Sequence, residues 1–391
     1  MKILLVHYAL PPQSIIGPSV HVYQLAQGLA KHGHAVDVLT LNNNELNGTL
    51  TDEYPINNFE VLSIVKNQFH SIFSYILNSA SIIKKLESNY DIIHAHTISS
   101  SSLLIYKPRT PSVVTVHGVY SEWYNKMKSE IISEKINLIK KIRLLAGALI
   151  YSNLEARYCR SAENLIVLTE KEKRLVKKHY SVSSETNFFM VPNGVEIKQF
   201  ECLPSVTDRR FFLFVGRMAA NKGILDLLHA WEQFQKQYPN INLVIAGRTD
   251  ELTPLVYEYS QKPGLNIIVE ENCSIKKLYS YYKNAVGVII PSRFEGLPLT
   301  LLDAMGHSKA ILLSDKLDLE TIIGDSVFFF NPSDPDTFAS AIETVLTDDI
   351  MRADLEQKSR LKFIESFSLD VMIKNVCAVY ETIIEDANFN K

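Results

Sequence analysis

Long hydrophobic runs, paired cysteines and an excess of positive charge are all missing from this sequence. Its apolar stretches, such as residues 144–151, stay far below the roughly 18 residues that a membrane span requires. The four cysteines form no C-x-x-C pair and have no histidine at zinc-finger spacing, which favours reduced thiols in a cytosolic protein. With 40 Lys and Arg against 43 Asp and Glu, the net charge of -3 excludes a strongly basic nucleic-acid binder.

The length of the chain predicts more than one domain. At 391 residues it exceeds the size at which one hydrophobic core usually stops growing, so we expect two units of roughly 150 to 200 residues. Charge is uneven between the halves, because residues 1–200 carry 21 basic and 16 acidic side chains and the remainder carries 19 and 27. A basic first half suits an anionic substrate or membrane surface, although an ordinary solvated surface gives the same count.

Short aliphatic runs alternate with amphipathic stretches along both halves. This alternation is typical of parallel sheets with crossover helices and predicts an α/β fold of two Rossmann-like, doubly wound domains. We place the first domain at residues 1–200 and the second at 201–365, with a linker near residues 198–210. Two such domains in tandem are expected to face a cleft, because each sheet binds ligands at the carboxyl ends of its strands.

Two cations follow the first strand of the second domain. The segment Phe214-Val215-Gly216-Arg217 ends this strand, and Lys222-Gly223 begins five residues after the arginine. At this spacing the guanidinium and the ammonium can converge on one anion, and the N-terminal amides of the next helix add a partial positive charge. The motif predicts a diphosphate site, with solvated surface charges as the alternative.

An acid pair follows the predicted strand at residues 286–290. Glu295 lies in the turn after this strand, and Asp303 comes eight residues later, in a helix whose first free amides belong to Leu299 and Thr300. These amides suit a phosphate oxygen, and the two acids can bracket a nucleotide sugar. A helix cap at Glu295 and a surface acid at Asp303 are the alternatives.

In this order and spacing, the two motifs resemble those of the family 4 retaining glycosyltransferases of GT-B architecture. The resemblance extends to the opening loop with Gly17, to the Gly33-His34 turn and to further segments of the chain, namely residues 91–96, 114–118, 191–195 and 332–342. It implies two domains that face a cleft and a C-terminal helix, within residues 366–391, that returns to the first domain.

The resemblance also implies a role for each matching residue. Arg217 and Lys222 would hold the diphosphate of a nucleotide sugar, and Glu295 would bind hydroxyls of the donor sugar. Asp303 would face the ribose, and His117 would face the anomeric region of the sugar. The remaining donor-binding positions would act through the backbone or through close approach: Gly17, Gly216, Gly296, Leu297, Pro298, Leu299 and Thr300.

Three positions depart from the pattern of the family. Asp303 stands where Glu is usual, so its carboxylate reaches about one methylene less far and meets the ribose through water. The first loop has a single glycine, Gly17, where paired glycines are common. Glu271 stands where a glycine near the nucleobase is common, so the sequence leaves a UDP or GDP type of donor undecided.

Acidic and histidine clusters elsewhere give no strong metal motif. Asp334 and Asp336 lie where a helix is predicted to start, so helix capping is their expected role. His94 and His96 form an i, i+2 pair without a neighbouring carboxylate or thiol, which is a weak metal pattern. With Arg217 supplying positive charge alongside the lysine, we expect no divalent ion at the diphosphate and no cofactor beyond the nucleotide sugar.

A long helix is predicted over residues 126–163. Ile132, Ile136 and Ile139 form an apolar stripe, and basic residues outnumber acidic ones in its first half. Such a helix suits docking on anionic lipid at the cytoplasmic face of a membrane. Packing against the sheet of the first domain explains the isoleucines equally well.

Together these features imply a cytoplasmic, metal-independent retaining glycosyltransferase. It would move a hexose from a nucleoside-diphosphate sugar to a hydroxyl of a saccharide or lipid-linked acceptor, as in surface polysaccharide or glycolipid assembly. A non-catalytic nucleotide-sugar-binding subunit and a glycoside phosphorylase are the alternatives on the same fold. A Rossmann dehydrogenase is disfavoured, because no G-x-G-x-x-G follows either opening strand. The sugar, the acceptor, the linkage and the oligomeric state do not follow from the sequence.

Overall fold

The computed structural model describes residues 1–11, 13–42, 60–65, 72–125, 138–198 and 208–389. The chain forms two compact units. Unit 1 combines Met1–Gly194 with Leu369–Lys391, and unit 2 is Val195–Ser368. Most of the predicted linker, residues 199–207, lies outside the described residues.

Unit 1 is built on a parallel sheet. Its strands are β1 Lys2–Val6, β2 Ala35–Asn42, β3 Glu60–Val65, β4 Ile92–His96, β5 Ser112–Thr115, β6 Asn164–Val167 and β7 Asn187–Met190. They are ordered β3-β2-β1-β4-β5-β6-β7, and each pair is parallel. The side chains at 3–6 of β1 are completely buried, which explains why the first strand reads as a continuous aliphatic run.

Helices connect these strands on both faces of the sheet. The helices are α1 Gly17–Lys31, α2 Ile72–Leu86, α3 Ser102–Ile105, α4 Leu138–Ser161 and α5 Glu170–Tyr180. Apolar side chains of α1 pack with β1 and β2 in one core cluster, and those of α2, α4 and α5 pack with β4, β5 and β6 in another. The sheet is therefore buried from both sides, as a doubly wound fold requires.

The long helix expected at residues 126–163 is described from Leu138 to Ser161. Residues 126–137 lie outside the described residues, so the lipid-docking hypothesis stays a prediction from sequence. Among the helices that the structure describes, none is long and apolar enough to cross a bilayer.

Unit 2 repeats the same plan. Its strands are β8 Phe211–Val215, β9 Asn242–Gly247, β10 Ile267–Glu271, β11 Gly287–Ile290, β12 Ala310–Ser314 and β13 Phe328–Phe330. They are ordered β10-β9-β8-β11-β12-β13, with parallel pairing throughout. Its helices are α6 Ile224–Gln237, α7 Thr253–Ser260, α8 Ile275–Asn284, α9 Leu299–Gly306, α10 Glu320–Ile323, α11 Pro335–Thr347 and α12 Asp349–Lys362. The expected fold class of two parallel-sheet α/β domains is confirmed.

The N-terminus of α11 is capped by an acidic residue, Asp334. The side chain of Asp334 accepts hydrogen bonds from the backbone N–H groups of Asp336 and Thr337, at 3.1 and 3.3 Å. The capping role expected for Asp334 is confirmed, because this carboxylate satisfies amides that the first turn of the helix leaves free.

The last helix, α13 Leu369–Phe389, belongs to unit 1 although unit 2 precedes it in the chain. It packs on α1, where a Cβ atom at Gly28 would lie 2.6 Å from the side chain of Ile373. Gly28 therefore permits a close approach of the two helices. Helix α13 contributes Leu369, Met372 and other buried side chains to the core cluster of β1 and α1.

Strand order reverses once in each sheet, between β1 and β4 in unit 1 and between β8 and β11 in unit 2. At such a switch point the connections leave in opposite directions and open a crevice at the carboxyl ends of the two strands. In unit 2 the segments that follow β8 and β11 contain Lys222 and Glu295. In unit 1 those that follow β1 and β4 begin at His7 and Thr97, the latter directly after His96.

Candidate functional site

The segment between β8 and α6 is shaped by glycines. A Cβ atom at Gly247, the last residue of β9, would lie 1.7 Å from the carbonyl oxygen of Gly216, so only glycine lets the two strand ends approach this closely. Gly223 adopts φ +68°, and a Cβ atom there would lie 2.0 Å from the carbonyl oxygen of Pro291. Gly223 therefore brings the turn that carries Lys222 against the segment that follows β11.

Three further contacts join these two segments. The backbone N–H of Arg293 donates to the carbonyl of Asn221 at 2.9 Å. The Arg293 side chain donates two hydrogen bonds to the carboxylate of Asp226 on α6, both at 2.9 Å. A guanidinium that binds a carboxylate through two bonds is held in one orientation. The segments after β8 and β11 thus form one continuous surface at the switch point.

Lys222 and Glu295 meet on this surface. The Lys222 ammonium donates to Oε2 of Glu295 at 2.5 Å, and the two side chains are only 15% and 17% exposed. The other carboxylate oxygen, Oε1 of Glu295, is buried and has no hydrogen-bond partner among the residues that the structure describes. Since a buried acceptor left unpaired costs roughly 1–3 kcal/mol, this oxygen is an acceptor suited to a ligand hydroxyl.

Arg217 contacts a partner that the sequence analysis missed. Its guanidinium hydrogen-bonds to the carboxylate of Asp250, and the Arg217 side chain remains 45% exposed. Burial alone would raise the pKa of the Asp250 carboxyl, but hydrogen bonds from Glu251 and the charge of Arg217 lower it. Asp250 follows β9, the neighbour of β8, so the position of an acid just after the adjacent strand was the available signal.

The helix N-terminus predicted near Glu295 is present as α9. The helix begins at Leu299 after Pro298, and no side chain caps its first turn. Pro298 has no backbone N–H, which removes it from the expected set of amide donors. The Leu299 and Thr300 amides keep the geometry that favours a phosphate oxygen at a helix N-terminus.

Asp303 lies in the second turn of α9. Burial raises the pKa of its carboxyl to about 7. Its carboxylate has no hydrogen-bond partner among the residues that the structure describes, and only its carbonyl is engaged, by the N–H and Nδ1 of His307 at 3.0 and 2.8 Å. The ribose contact implied for Asp303 stays a prediction, and the side chain is available for it.

The residues expected near the nucleobase are acids whose carboxylates already have partners within unit 2. Glu271, at the end of β10, accepts a hydrogen bond from the Tyr257 hydroxyl at 2.9 Å. The preceding residue, Glu270, pairs with the Lys277 ammonium at 2.7 Å. These contacts fix both carboxylates at the edge of the sheet of unit 2.

Gly17 departs from its expected place in a loop. It is the first residue of α1. Pro18 favours a helix start here, because it has no backbone N–H that the first helical turn would leave unpaired. A Cβ atom at Gly17 would meet no atom within 4 Å. Nothing within unit 1 therefore requires glycine at this position.

A second polar cluster lies at the switch point of unit 1. It consists of five imidazoles: His7, His21, His94, His96 and His117. The His21 and His117 rings are 4.5 Å apart between centroids, and those of His94 and His96 are 4.0 Å apart. Nδ1 of His96 lies 3.2 Å from Nε2 of His117. Burial lowers the pKa of every member, to about 4 for His7 and about 3 for His21, so the rings are neutral near pH 7.

The segment after His117 is held by buried carboxylates that the sequence analysis also missed. The N–H of Tyr120 donates to Oε2 of Glu155 at 2.6 Å, and the N–H of Gly118 donates to Glu172. Burial raises the pKa of Glu155 to about 7 and that of Glu172 to about 8, although these hydrogen bonds oppose the shift. The Thr169-x-x-Glu172 spacing of a capping box was the signal for the second acid.

His94 is the one histidine of the cluster with both ring nitrogens paired to hydroxyls. Its Nδ1 lies 2.6 Å from the Tyr380 hydroxyl on α13, and its Nε2 lies 2.6 Å from Oγ1 of Thr115 on β5. These contacts orient the ring inside the sheet. His94 therefore has a structural role, in which it links α13 to the centre of unit 1.

Comparison with known proteins bears on both units. Residues 15–199 match the family model described as Glycosyltransferase Family 4, and residues 195–362 match that described as Glycosyl transferases group 1. An uncharacterised glycosyltransferase of Methanocaldococcus jannaschii is 27% identical over 98% of this chain and 99% of its own length. The O-antigen chain mannosyltransferase C of Escherichia coli is 24% identical over 98% of this chain and 99% of its own length.

One solved structure gives an independent view of the fold. The sucrose-phosphate synthase from Thermosynechococcus elongatus matches with a TM-score of 0.77 and 19% identity, over 98% of this chain and 99% of that chain. At this identity the likeness concerns the fold. The likeness therefore supports the parallel-sheet α/β fold that the structure shows.

Proposed function

Since the chain belongs to the family 4 glycosyltransferases of GT-B architecture, we propose that it transfers a hexose from a nucleoside-diphosphate sugar to a hydroxyl of a saccharide or lipid-linked acceptor. The transfer retains the configuration of the anomeric carbon and uses no metal at the leaving diphosphate. The observation that carries this proposal is the Lys222–Glu295 pair at the switch point of unit 2, in which Oε1 of Glu295 is buried and has no partner within the described part of the chain.

Each member of the pair has a separate task. A sugar hydroxyl that donates to Oε1 of Glu295 satisfies an acceptor that the folded chain leaves unpaired. The Lys222 ammonium, already fixed by Oε2, stabilises the negative charge that grows on the diphosphate as the glycosidic bond breaks. Arg217 supports the same charge from the neighbouring strand end, where Asp250 orients its guanidinium. The α9 N-terminus adds amide donors for a phosphate oxygen.

Retention without a carboxylate nucleophile implies that the acceptor and the diphosphate occupy the same face of the sugar. The acceptor hydroxyl attacks the face from which the diphosphate leaves, and the departing phosphate oxygen takes the hydroxyl proton. Bond breaking at the anomeric carbon thereby delivers both electrons to the phosphate oxygen, which is protonated in the same step. His117 keeps the role implied by the resemblance, as the imidazole that faces the transferred sugar.

The proposal does not specify which donor or which acceptor this chain uses. The test therefore measures hydrolysis of the donor, which requires no acceptor sugar. Thermal shifts with UDP, GDP, ADP and their hexose conjugates identify the donor, because a ligand of the folded state raises the melting temperature. The variant Lys222→Met should then lower hydrolysis of that donor at least tenfold, since a lost charge-assisted contact is worth roughly 1.5–3 kcal/mol. Glu295→Gln should raise KM for the donor more than it lowers kcat, because the amide keeps only part of the acceptor set.

The matched control is Lys236→Met, which removes an exposed ammonium from α6 of the same unit. It should leave hydrolysis unchanged. Hydrolysis in Lys222→Met at the level of the wild type would contradict the assignment. A chain whose melting temperature rises with nucleotide but which shows no hydrolysis with any donor would instead be the non-catalytic binding subunit.

A further inference from the structure

Three of the five clustered histidines in unit 1 present ring nitrogens to a common point. One ligating atom from each of His21, His96 and His117 lies within 4.8 Å of the other two. Their Cα atoms come from α1, from the end of β4 and from the segment after β5. The convergence therefore depends on the strand order of the sheet, and the sequence pattern of His94 and His96 gave no sign of it.

The spacing fits a tetrahedral metal site. Nδ1 of His96 and Nε2 of His117 are 3.2 Å apart. In a tetrahedral zinc site, nitrogens that each lie about 2.0–2.1 Å from the ion are separated by about 3.3 Å. Two of the three nitrogens already have this separation, and His21 offers a ring nitrogen within 4.8 Å of one on each of the other two histidines.

The hydrogen bonds within the cluster distinguish ligands from neighbours. The Asn193 side chain hydrogen-bonds to the His21 ring, and among the described residues the buried Nδ1 of His21 has no partner at ordinary hydrogen-bond distance, although such atoms are usually paired in a protein interior. His94 uses both of its nitrogens on Tyr380 and Thr115, so it has no lone pair to offer. His7 directs Nε2 to the hydroxyl of Ser19 at 3.2 Å, and although its Nδ1 is also buried without a partner among the described residues, His7 does not belong to the converging group.

The donor set defines the class of ion. Three neutral imidazoles suit Zn²⁺, Co²⁺, Ni²⁺ and Cu²⁺, and they are poor ligands for Mg²⁺ or Ca²⁺, which prefer oxygen. Among the described residues, no carboxylate or thiol joins the three histidines in this group. His21 and His96 are buried, whereas His117 is partly exposed, so an ion can reach the site past the His117 ring.

We propose that unit 1 binds one divalent transition-metal ion of the zinc class through His21, His96 and His117. A set of three histidines leaves the fourth tetrahedral position to a water molecule or to a ligand oxygen. A consequence rests on the proposed function, which assigns His117 to the transferred sugar. Because the His117 ring cannot bind the ion and contact the sugar at the same time, the bound ion inhibits transfer.

The test is direct metal binding by the full chain, prepared without a polyhistidine tag and stripped of metal by a chelator. Titration with Co²⁺ should give the intense visible absorption of four-coordinate cobalt with one ion per chain, and Zn²⁺ should displace it. His21→Ala and His96→Ala should each weaken Co²⁺ affinity at least tenfold, since each removes one of three ligands. His229→Ala, which removes an exposed histidine from unit 2, should leave the spectrum and the affinity unchanged.

Unfolding of the alanine variants is excluded by circular dichroism and by a second substitution, His21→Asn, which keeps a polar side chain that can hydrogen-bond. X-ray absorption at the zinc edge should report three imidazole ligands. The proposal is overturned if the wild type shows no saturable absorption with micromolar Co²⁺, or if the absorption persists in both His21→Asn and His96→Ala. These readouts do not involve glycosyl transfer, so loss of the proposed function and loss of the metal site are separable.

Discussion

Lowering the pH from neutral should destabilise unit 1 far more than unit 2. The five clustered imidazoles of unit 1 are the cause. Burial lowers the pKa of His7 to about 4 and that of His21 to about 3, and burial together with neighbouring histidines holds the pKa of His94, His96 and His117 well below 6.5. In the unfolded chain these groups titrate near 6.5, so below that pH the unfolded state binds more protons and stability falls.

The buried acids of unit 1 act in the opposite sense. The pKa of Glu155 is raised to about 7 and that of Glu172 to about 8, from 4.5 in each case. Between these values the folded unit holds protons that the unfolded chain releases, so these two groups add stability as the pH falls. Near pH 5.5 the unfolded state binds roughly four to five more protons than the folded state at the histidines, and the folded state binds roughly two more at the acids. The unfolding free energy should therefore fall by about 3–4 kcal/mol for each pH unit by which the pH is lowered.

Among the described residues of unit 2, two acids, Asp303 and Glu251, have raised pKa values, and one histidine, His307, has a lowered pKa. The raised pKa of Asp303, about 7, adds stability as the pH falls, and the pKa of His307, lowered mainly by burial, removes it. Since the raised pKa of Glu251 acts in the same sense as that of Asp303, the two acids oppose the single histidine. The unfolding free energy of unit 2 should therefore change by about 1 kcal/mol or less per pH unit.

The two tryptophans allow each unit to be followed separately. Trp123 lies in unit 1 and Trp231 in unit 2. Trp231→Phe leaves Trp123 as the reporter of unit 1, and the buried Nε1 of Trp231 has no hydrogen-bond partner to lose among the described residues. In the variant Trp123→Phe, Trp231 is the reporter of unit 2. Urea unfolding of both variants between about pH 7 and about pH 5 gives the two slopes. Equal slopes, or a slope for unit 1 below about 1 kcal/mol per pH unit, would refute the reasoning.

Three stability predictions test the packing of the two units. Deletion of residues 369–391 removes seven buried side chains of α13 from the unit 1 core, so the Trp123 signal should indicate an unfolded unit 1 while the Trp231 signal still shows a cooperative transition. Gly247→Ala places a Cβ atom 1.7 Å from the carbonyl oxygen of Gly216 and should destabilise unit 2 by about 1–3 kcal/mol or more in urea, whereas Gly147→Ala, which meets no atom within 4 Å, should not. Tyr380→Phe leaves Nδ1 of His94 unpaired and should destabilise unit 1 by about 1–3 kcal/mol. The control is Tyr8→Phe, because the Tyr8 hydroxyl has no hydrogen bond among the described residues. Equal destabilisation by the two substitutions would contradict the role of the Tyr380–His94 contact.

The local pattern of the chain determined its elements and the ends of its strands. A continuous aliphatic run such as residues 3–6 is typical of a strand buried on both faces, and a proline such as Pro298 is typical of the start of a helix. Because parallel strands end at the same edge of a sheet, placing Lys222 and Glu295 after two strands was enough to predict a site there. These inferences require only neighbouring residues and the rules of secondary structure.

The partners of the site residues were decided by tertiary structure. Lys222 and Glu295 are 73 residues apart in the chain, and their 2.5 Å contact exists because β8 and β11 are neighbours in the strand order. The same holds for Arg217 with Asp250, and for His21 with His96 and His117. Strand order depends on the packing of whole layers, which no local spacing encodes, so side chains from distant segments acquire their chemistry only when the sheet is assembled.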